Sequence, residues 1–273
     1  MAVKIVTDSA CDLPPALIRE HGIEVVPIRI NLGRQSYLDG VDLNPREINA
    51  KIAQWGGVPT TSQPPPFAFQ EKFAALLDQG HEVLCLTMSA ALSGTYHSAV
   101  IAARQLQGAV AVADTRLVST GLGLLVTRAA HRAAQGGDLQ ALKEYAEAEA
   151  RRITMYAVLD SVEPIVRGGR LNVFARHAAS RQGIKLLFGL NENGAVHIVE
   201  RVRGRNHSLD RLAELVAAKA PREFAVAHVD CIGEAELVAG AITRQCGAPP
   251  LYVSPAGGTV STYAGRGAII VAC

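Results

Sequence analysis

The chain has 273 residues, of which 49% are hydrophobic and only 5% aromatic, so it can bury a large and mainly aliphatic core. Its 27 Lys and Arg residues nearly balance 25 Asp and Glu residues, and the formal net charge is +2. This balance argues against a nucleic-acid partner or an anionic membrane surface. The five cysteines are dispersed without a CxxC pair, which argues against a disulfide framework or a structural zinc site.

The start of the chain runs directly into a strand-like segment at residues 3–7 and lacks the long apolar stretch of a signal peptide. Further along the sequence, no apolar segment reaches the length needed to span a bilayer. We therefore expect a reduced, cytoplasmic protein without stable membrane insertion.

The first half of the chain alternates strand-like and helix-like segments. Apolar runs predict strands at residues 3–7, 23–30, 83–87 and 109–113. Helical spacing of apolar residues, with caps such as Asn44-Pro45, predicts helices at residues 46–55, 68–79, 122–134 and 139–152, and a further helix follows the Ser-Gly-Thr loop and ends at residue 106. This alternation predicts an α/β domain with a parallel sheet flanked by helices.

The second half has a different pattern. Residues 184–190 and 195–203 flank an Asn-Gly turn and predict a β-hairpin. Helices at 208–218 and 234–246, a strand at 224–229 and two short closing strands follow. We predict a two-domain protein, with an N-terminal α/β domain at 1–158 and a C-terminal α+β domain at 159–273 that has a mainly antiparallel sheet. The cleft between the halves is the expected ligand site.

Two hydroxyl-rich loops give the strongest functional signal. The first contains Thr61 and Ser62 beside a run of prolines, and the second is Ser93-Gly94-Thr95, between a predicted strand and a predicted helix. Hydroxyls and free backbone N–H groups at a helix start favour a bound anion, either phosphate or carboxylate. Arg203 stands where a strand ends, from which an arginine can reach an anion in the cleft.

Catalytic patterns are weak in comparison. The sequence contains no Gly-Lys pair and no H-E-x-x-H, which argues against an NTPase phosphate loop and a zinc protease site. Ser93 follows Ala91 by two positions, so the nucleophile-elbow pattern G-x-S-x-G is broken. An acyl hydrolase or acyltransferase that uses Ser93, assisted by His97 or Tyr263, remains the enzymatic alternative.

Acidic residues also occur in pairs, at Asp8 and Asp12 and at Asp39 and Asp42. Acid–base catalysis requires one carboxyl of a pair to be desolvated and the other not. We interpret Asp12 more simply as a helix cap and Asp39 as part of a turn.

Taken together, the motifs resemble those of the DegV family, whose members include the fatty-acid-binding subunits of bacterial fatty acid kinase. The resemblance extends through the chain in order. It rests on Thr7-Asp8-Ser9, Tyr37-Leu38-Asp39-Gly40, Thr61-Ser62-Gln63-Pro64, Leu92-Ser93-Gly94-Thr95-Tyr96, Gly168-Gly169-Arg170 and Arg203-Gly204.

The resemblance implies that the protein encloses one long-chain fatty acid, with the acyl chain inside the N-terminal domain and the C-terminal domain over the head group. Thr61 and Ser93 then hold the carboxyl group, with Ser62 adjacent and Arg203 near the head group. A separate fatty acid kinase catalytic subunit converts the presented carboxylate to an acyl phosphate for phospholipid synthesis. The protein is then a carrier without turnover, and the fatty acid is a ligand rather than a cofactor.

One segment departs from the family pattern. The family commonly has a H-T-G-P-G-A-like stretch near its end, where this chain has Tyr263-Ala264-Gly265-Arg266-Gly267-Ala268. Tyr263 can donate a hydrogen bond as histidine does, but it carries no charge near neutral pH. We include Gly94, Thr95 and Tyr263 in the expected ligand-binding set. The departure also leaves open a diverged member that binds another small anion.

Overall fold

A computed structural model describes residues 2–107, 109–171 and 183–273. The strands are β1 (Val3–Asp8), β2 (Glu24–Val26), β3 (Arg29–Leu32), β4 (Gln35–Leu38), β5 (Thr60–Ser62), β6 (Glu82–Thr87), β7 (Val110–Asp114), β8 (Met155–Val158), β9 (Ile184–Leu190), β10 (Val196–Arg203), β11 (Phe224–His228), β12 (Pro250–Pro255) and β13 (Ile269–Ala272). The helices are α1 (Pro15–Glu20), α2 (Pro45–Trp55), α3 (Pro66–Asp78), α4 (Thr95–Arg104), α5 (Ser119–Ala134), α6 (Leu139–Ala150), α7 (Glu163–Arg167), α8 (Arg205–Ala217), α9 (Ile232–Cys246) and α10 (Gly258–Ala264).

The first sheet is parallel and has the strand order β2-β1-β6-β7. Its central strands β1 and β6 are almost wholly buried, because helices cover both faces of the sheet. The predicted parallel sheet flanked by helices is therefore confirmed. The carboxyl ends of β1, β6 and β7 meet at one edge, where the segments after β1 and β6 carry the residues that define the candidate site.

The segment 23–30 is two strands in two sheets, whereas the sequence pattern predicted one. β2 belongs to the parallel sheet, and β3 is the centre of a three-stranded sheet with the order β4-β3-β5. Pro27 lies between them, and a proline cannot donate to a ladder. The small sheet pairs Ile30 with Thr61, so β5 carries the first hydroxyl-rich loop toward the core.

The third sheet has six strands in the order β10-β9-β8-β13-β11-β12, and β11–β12 is its one parallel pair. The predicted mainly antiparallel sheet is confirmed, and so is the hairpin of β9 and β10. In its turn, Asn191 accepts backbone bonds from Asn193 and Ala195, while Gly194 has a φ of 76° that glycine adopts readily. β8 pairs with β9 and β13, which groups residues 155–158 with the second half, whereas the predicted division at 158 assigns them to the first.

Helix α5 packs between the two large sheets. Leu122, Leu124 and Leu125 are completely buried in a hydrophobic cluster that also contains Ile5 of β1 and Ile270 of β13. The two halves therefore share one core. Among the described residues, no helix is both long and apolar enough to cross a membrane.

Candidate functional site

An apolar cavity of about 100 Å³ lies between the two halves. The apolar residues that the first half contributes include Ile28, Met88 and Leu92, and the second half contributes a larger share of the wall from β8, β9, α10 and β13. Among its apolar lining residues are Met155, Ala157, Phe188, Leu190, Val260 and Ile270. The resemblance placed the acyl chain inside the first half, where the leucines of α5 are buried, and this placement stays a prediction.

Three predicted site residues, Thr61, Ser93 and Tyr263, line this cavity. The Thr61 Oγ1 and Tyr263 Oη atoms are 2.7 Å apart and share a hydrogen bond. The Ser93 hydroxyl shares a bond of 2.8 Å with the Thr95 hydroxyl and accepts the Thr95 backbone N–H at 3.3 Å. Hydroxyl groups from β5, the β6–α4 loop and α10 thus line one cavity whose other lining residues are mostly apolar.

Gly94 and Thr95 support the site without lining the cavity. A Cβ atom on Gly94 would overlap the side-chain amide of Gln63, which donates a 2.9 Å hydrogen bond to Ser98. The glycine therefore allows the two hydroxyl-rich loops to pack against each other. Thr95 is buried and orients Ser93.

Ser62 and Arg203 lie outside the cavity wall. Ser62 is exposed and accepts a 3.0 Å hydrogen bond from the Asn31 amide across the small sheet. Arg203 is exposed at the end of β10, opposite Ile184. Among the described residues, neither side chain shares a hydrogen bond with Thr61 or Ser93, so their expected roles at the head group stay predictions.

Arg170 also lines the cavity, although it was not among the predicted site residues. Its Nε donates to the Leu92 carbonyl at 3.0 Å, another guanidinium N–H donates to the Gly168 carbonyl, and the guanidinium lies 4.6 Å from the centre of the Tyr263 ring. These partners are neutral, so they orient the positive charge without cancelling it. A Cβ on Gly168 would overlap the Tyr263 ring, so only a glycine lets the ring lie this close to the backbone. Gly168 was therefore the one sign in this segment of the sequence that another residue packs against it.

Three carboxyl groups are buried next to the cavity, and the sequence interpretation of one was wrong. Asp12 does not cap α1, whose first turn has no side-chain cap. Instead, Asp12 accepts a bond of 2.6 Å from the Ser119 hydroxyl and one of 2.8 Å from the Gly257 N–H. Asp39, which was interpreted as a turn residue, accepts the N–H groups of Gly258 and Thr259, both at 2.9 Å.

Burial raises the pKa values of these carboxyl groups. It raises the pKa of Asp8 to about 7 and that of Asp12 to about 8, and it raises the pKa of Asp39 in the same direction. Hydrogen bonds from backbone N–H groups oppose the increase, but the loss of water outweighs them. Asp42, by contrast, is an exposed turn residue that accepts the Leu38 N–H at 2.7 Å.

The geometry around Ser93 differs from that of an activated nucleophile. Its hydroxyl partner is Thr95, and His97 is exposed on α4 with its ring against Tyr96. Among the described residues, no histidine or carboxylate shares a hydrogen bond with Ser93. A serine hydrolase needs such a base within reach of the hydroxyl.

Comparisons with known proteins agree with this architecture. The sequence model of the DegV family matches residues 2–273. A DegV domain-containing protein of Clostridium perfringens is 31% identical over 278 residues, which cover 98% of this chain and 95% of the relative. Another from Streptomyces coelicolor is 32% identical and covers 97% of this chain and 95% of its own length. The chain belongs to the DegV family.

Solved structures of relatives superpose over the whole chain. A DegV family protein from Thermus thermophilus, described for its fatty acid binding, has a TM-score of 0.90 and 28% identity, with 100% of this chain and 99% of that chain covered. A DegV family protein from Ruminococcus gnavus, refined with vaccenic acid, has a TM-score of 0.89 and 25% identity, with 100% of both chains covered. The fold of this chain is that of the family.

Proposed function

We propose that this protein binds one long-chain fatty acid in the cavity between its halves. Its carboxyl group would be held by Thr61, Ser93 and Tyr263, and it would be presented to a separate fatty acid kinase that forms the acyl phosphate. The observation that carries the proposal is the convergence of these three polar side chains on a cavity whose other walls are mostly apolar. In this proposal the protein is a cytoplasmic carrier in phospholipid synthesis.

The apolar wall supports an aliphatic ligand. Burial of each methylene contributes about 0.8 kcal/mol, so a chain of a dozen or more carbons offsets the cost of enclosing one carboxyl group. Side chains such as Met88 and Met155 adapt to ligands of different shape because methionine is unbranched and flexible.

The polar end supports a carboxyl head group. Hydroxyls both donate and accept, so they suit a carboxyl group in either protonation state. The Arg170 guanidinium adds a fixed positive charge of a shape that matches carboxylate and phosphate oxygens. The relatives from T. thermophilus and R. gnavus, with their fatty acids, support the same ligand class.

The Ser93 hydrolase is the weaker candidate because Thr95, rather than a base, bonds the serine hydroxyl. A bound anion without an acyl chain would leave the apolar walls without a role. We therefore favour fatty acid binding over both alternatives.

Native mass spectrometry of the delipidated protein with palmitate tests the proposal. We expect a one-to-one complex and a ligand-dependent increase in Tm. A purified fatty acid kinase with ATP then tests presentation, with acyl phosphate as the expected product. Absence of a complex with any C14–C18 acid would refute the proposal. Loss of acyl-ester turnover in Ser93→Ala, rather than weaker retention of palmitate, would instead establish the hydrolase.

A further inference from the structure

Three buried carboxyl groups, those of Asp8, Asp12 and Asp39, lie behind the cavity wall and are called the carboxyl cluster. Each accepts a hydrogen bond from a residue that lines the cavity. The bonds run from the Met88 N–H to Asp8 at 2.7 Å, from the Ser119 hydroxyl to Asp12 at 2.6 Å and from the Thr259 N–H to Asp39 at 2.9 Å. The wall residues belong to three separate segments of the chain.

We propose that the carboxyl cluster positions the wall of the fatty-acid cavity, so that Asp8, Asp12 and Asp39 are positioning residues for ligand retention. The inference rests on the proposed function, and it adds residues that do not themselves touch the ligand. Its central element is α10, which contributes both apolar wall and the Tyr263 hydroxyl.

Asp39 fixes the start of α10. Its two oxygens accept the N–H groups of Gly258 and Thr259, which belong to the first turn and have no partner within the helix. Tyr263 lies four residues after Thr259 and therefore on the same face of the helix. A shift of the first turn would move the Tyr263 hydroxyl away from Thr61.

Asp12 connects the start of α5 to the start of α10. Its carboxyl group receives the Ser119 hydroxyl and the Gly257 N–H on different oxygens. Asp12 and Ser119 have φ angles of 49° and 51°, a left-handed conformation that is unfavourable for residues other than glycine. Such strain persists only where surrounding bonds hold it, and it is common near ligand sites.

The carboxyl cluster is neither part of an ion pair nor a metal site. Within the described part of the chain, neither a salt bridge nor a metal-binding group of acidic, cysteine and histidine side chains includes these three residues. The raised pKa values follow from burial, with mutual repulsion added for Asp8 and Asp12. The titratable groups that face the cluster are also acids, namely Cys11, Cys85 and Tyr252.

Asp39→Asn is the test variant, because the amide keeps the shape but places an NH₂ group against one backbone N–H. The matched control is Asp114→Ala. Asp114 ends β7 of the parallel sheet and accepts the N–H groups of Ala90 and Arg116, neither of which lines the cavity. The hydrogen-exchange rate of residues 257–264 in the ligand-free protein measures how stably α10 is bonded to the rest of the protein. The dissociation rate of palmitate measures how well the cavity retains its ligand.

We expect Asp39→Asn to raise both the exchange rate at 257–264 and the dissociation rate by about tenfold. We expect Asp114→Ala to change neither by more than about twofold, whatever its effect on unfolding. Equal changes in the two variants, or no change in Asp39→Asn, would overturn the proposal. If the wild-type protein does not bind palmitate, that result contradicts the proposed function instead. The hydrogen-exchange rates of the wild type and Asp39→Asn then still decide whether Asp39 stabilises the start of α10.

If Asp39→Asn does not fold, Ser9→Ala gives the same comparison at smaller amplitude. It removes the 3.2 Å hydrogen bond from the Ser9 hydroxyl to Asp39 and keeps both backbone bonds to Asp39. It also removes the acceptor of the Ile28 N–H, which lies on another wall of the cavity, so hydrogen exchange at 257–264 is the measurement used for this variant. We expect an increase of about threefold in that exchange rate. An exchange rate equal to that of the wild type would then overturn the proposal.

Discussion

The Thr61 and Tyr263 hydroxyl groups share a hydrogen bond of 2.7 Å although 202 positions separate the two residues in the chain. This bond joins the small three-stranded sheet to α10 at the polar end of the cavity. In the proposed function, this bond places the Tyr263 hydroxyl at the head-group site, where the resemblance to the family leads us to expect a histidine.

Tyr263→Phe removes one hydroxyl and keeps the ring against Arg170. We expect palmitate affinity to fall about three- to tenfold, and the free energy of unfolding to fall by about 1 kcal/mol, because Thr61 loses its partner. Isothermal titration and urea unfolding measure the two effects. Tyr37→Phe is the control, since the Tyr37 hydroxyl bonds the exposed Gln35 at 2.9 Å, away from the cavity. Unchanged palmitate affinity in Tyr263→Phe would show that the Tyr263 hydroxyl does not bind the carboxyl group of the ligand.

Gly94→Ala tests the packing of the two hydroxyl-rich loops. A Cβ at this position overlaps the Gln63 amide, which must shift and give up its hydrogen bond to Ser98, so we expect a loss of about 1 kcal/mol in stability and weaker fatty acid binding. Thermal unfolding with and without palmitate measures both. Gly233→Ala in α9 serves as the control, because open space surrounds that glycine and alanine favours helices. Equal Tm values for Gly94→Ala and the wild type would show that the loops adjust freely.

Ala157→Leu tests whether the cavity holds the aliphatic chain. Ala157 lies on β8 and lines the cavity, and it belongs to a different segment of the chain from the hydroxyl-bearing residues. A leucine side chain at this position would fill space that the ligand needs. We expect palmitate affinity to fall at least about tenfold while head-group residues stay in place. Octanoate should be affected less than palmitate because it occupies less of the cavity. Similar losses of affinity for palmitate and octanoate would show that the acyl chain does not extend past Ala157.

The buried carboxyl groups predict an unusual pH dependence of stability. The pKa values of Asp8 and Asp12 are about 7 and about 8 in the folded protein, above the value of 3.8 for a free side chain. The folded state thus binds protons more tightly than the unfolded state. The contribution of these groups to stability is full below about pH 4 and is lost as the pH rises toward 7–8.

Urea unfolding of the wild type and of Asp12→Asn at pH 5 and pH 8.5 isolates this contribution. Asparagine does not ionise, so we expect the wild type to lose more stability than the variant between these two pH values. A stability difference between the two proteins that is the same at both pH values would contradict the raised pKa of Asp12.

The sequence predicted the parts of the fold that depend on local signals. The Asn-Gly turn of the hairpin and the Asn44-Pro45 start of α2 were found because backbone geometry limits which residues can occupy them. In the structure, Asn44 and Glu47 form a reciprocal capping box. Pro27 was a local signal as well, but the β-branched residues around it favoured one continuous strand.

The missed site residues depend on contacts between distant segments. Asp12 accepts a hydrogen bond from Gly257, 245 positions away, and no local pattern indicates such a partner. Arg170 belongs to the Gly168-Gly169-Arg170 motif, but the sequence does not indicate its contacts with the Tyr263 ring and the Leu92 carbonyl. Thr61 and Ser93 were predicted as site residues because they occur in distinctive motifs, and both line the cavity.

The bond between Asp12 and Gly257 also sets an order of events during synthesis. At roughly 5–20 residues per second, a ribosome adds Gly257 about 12–50 s after Asp12. The parallel sheet can form in the nascent chain during that interval, while one wall of the cavity is still missing. Under the proposed function, a fatty acid can therefore be enclosed only after translation has passed α10, and until then the emerging chain exposes the apolar wall of the cavity.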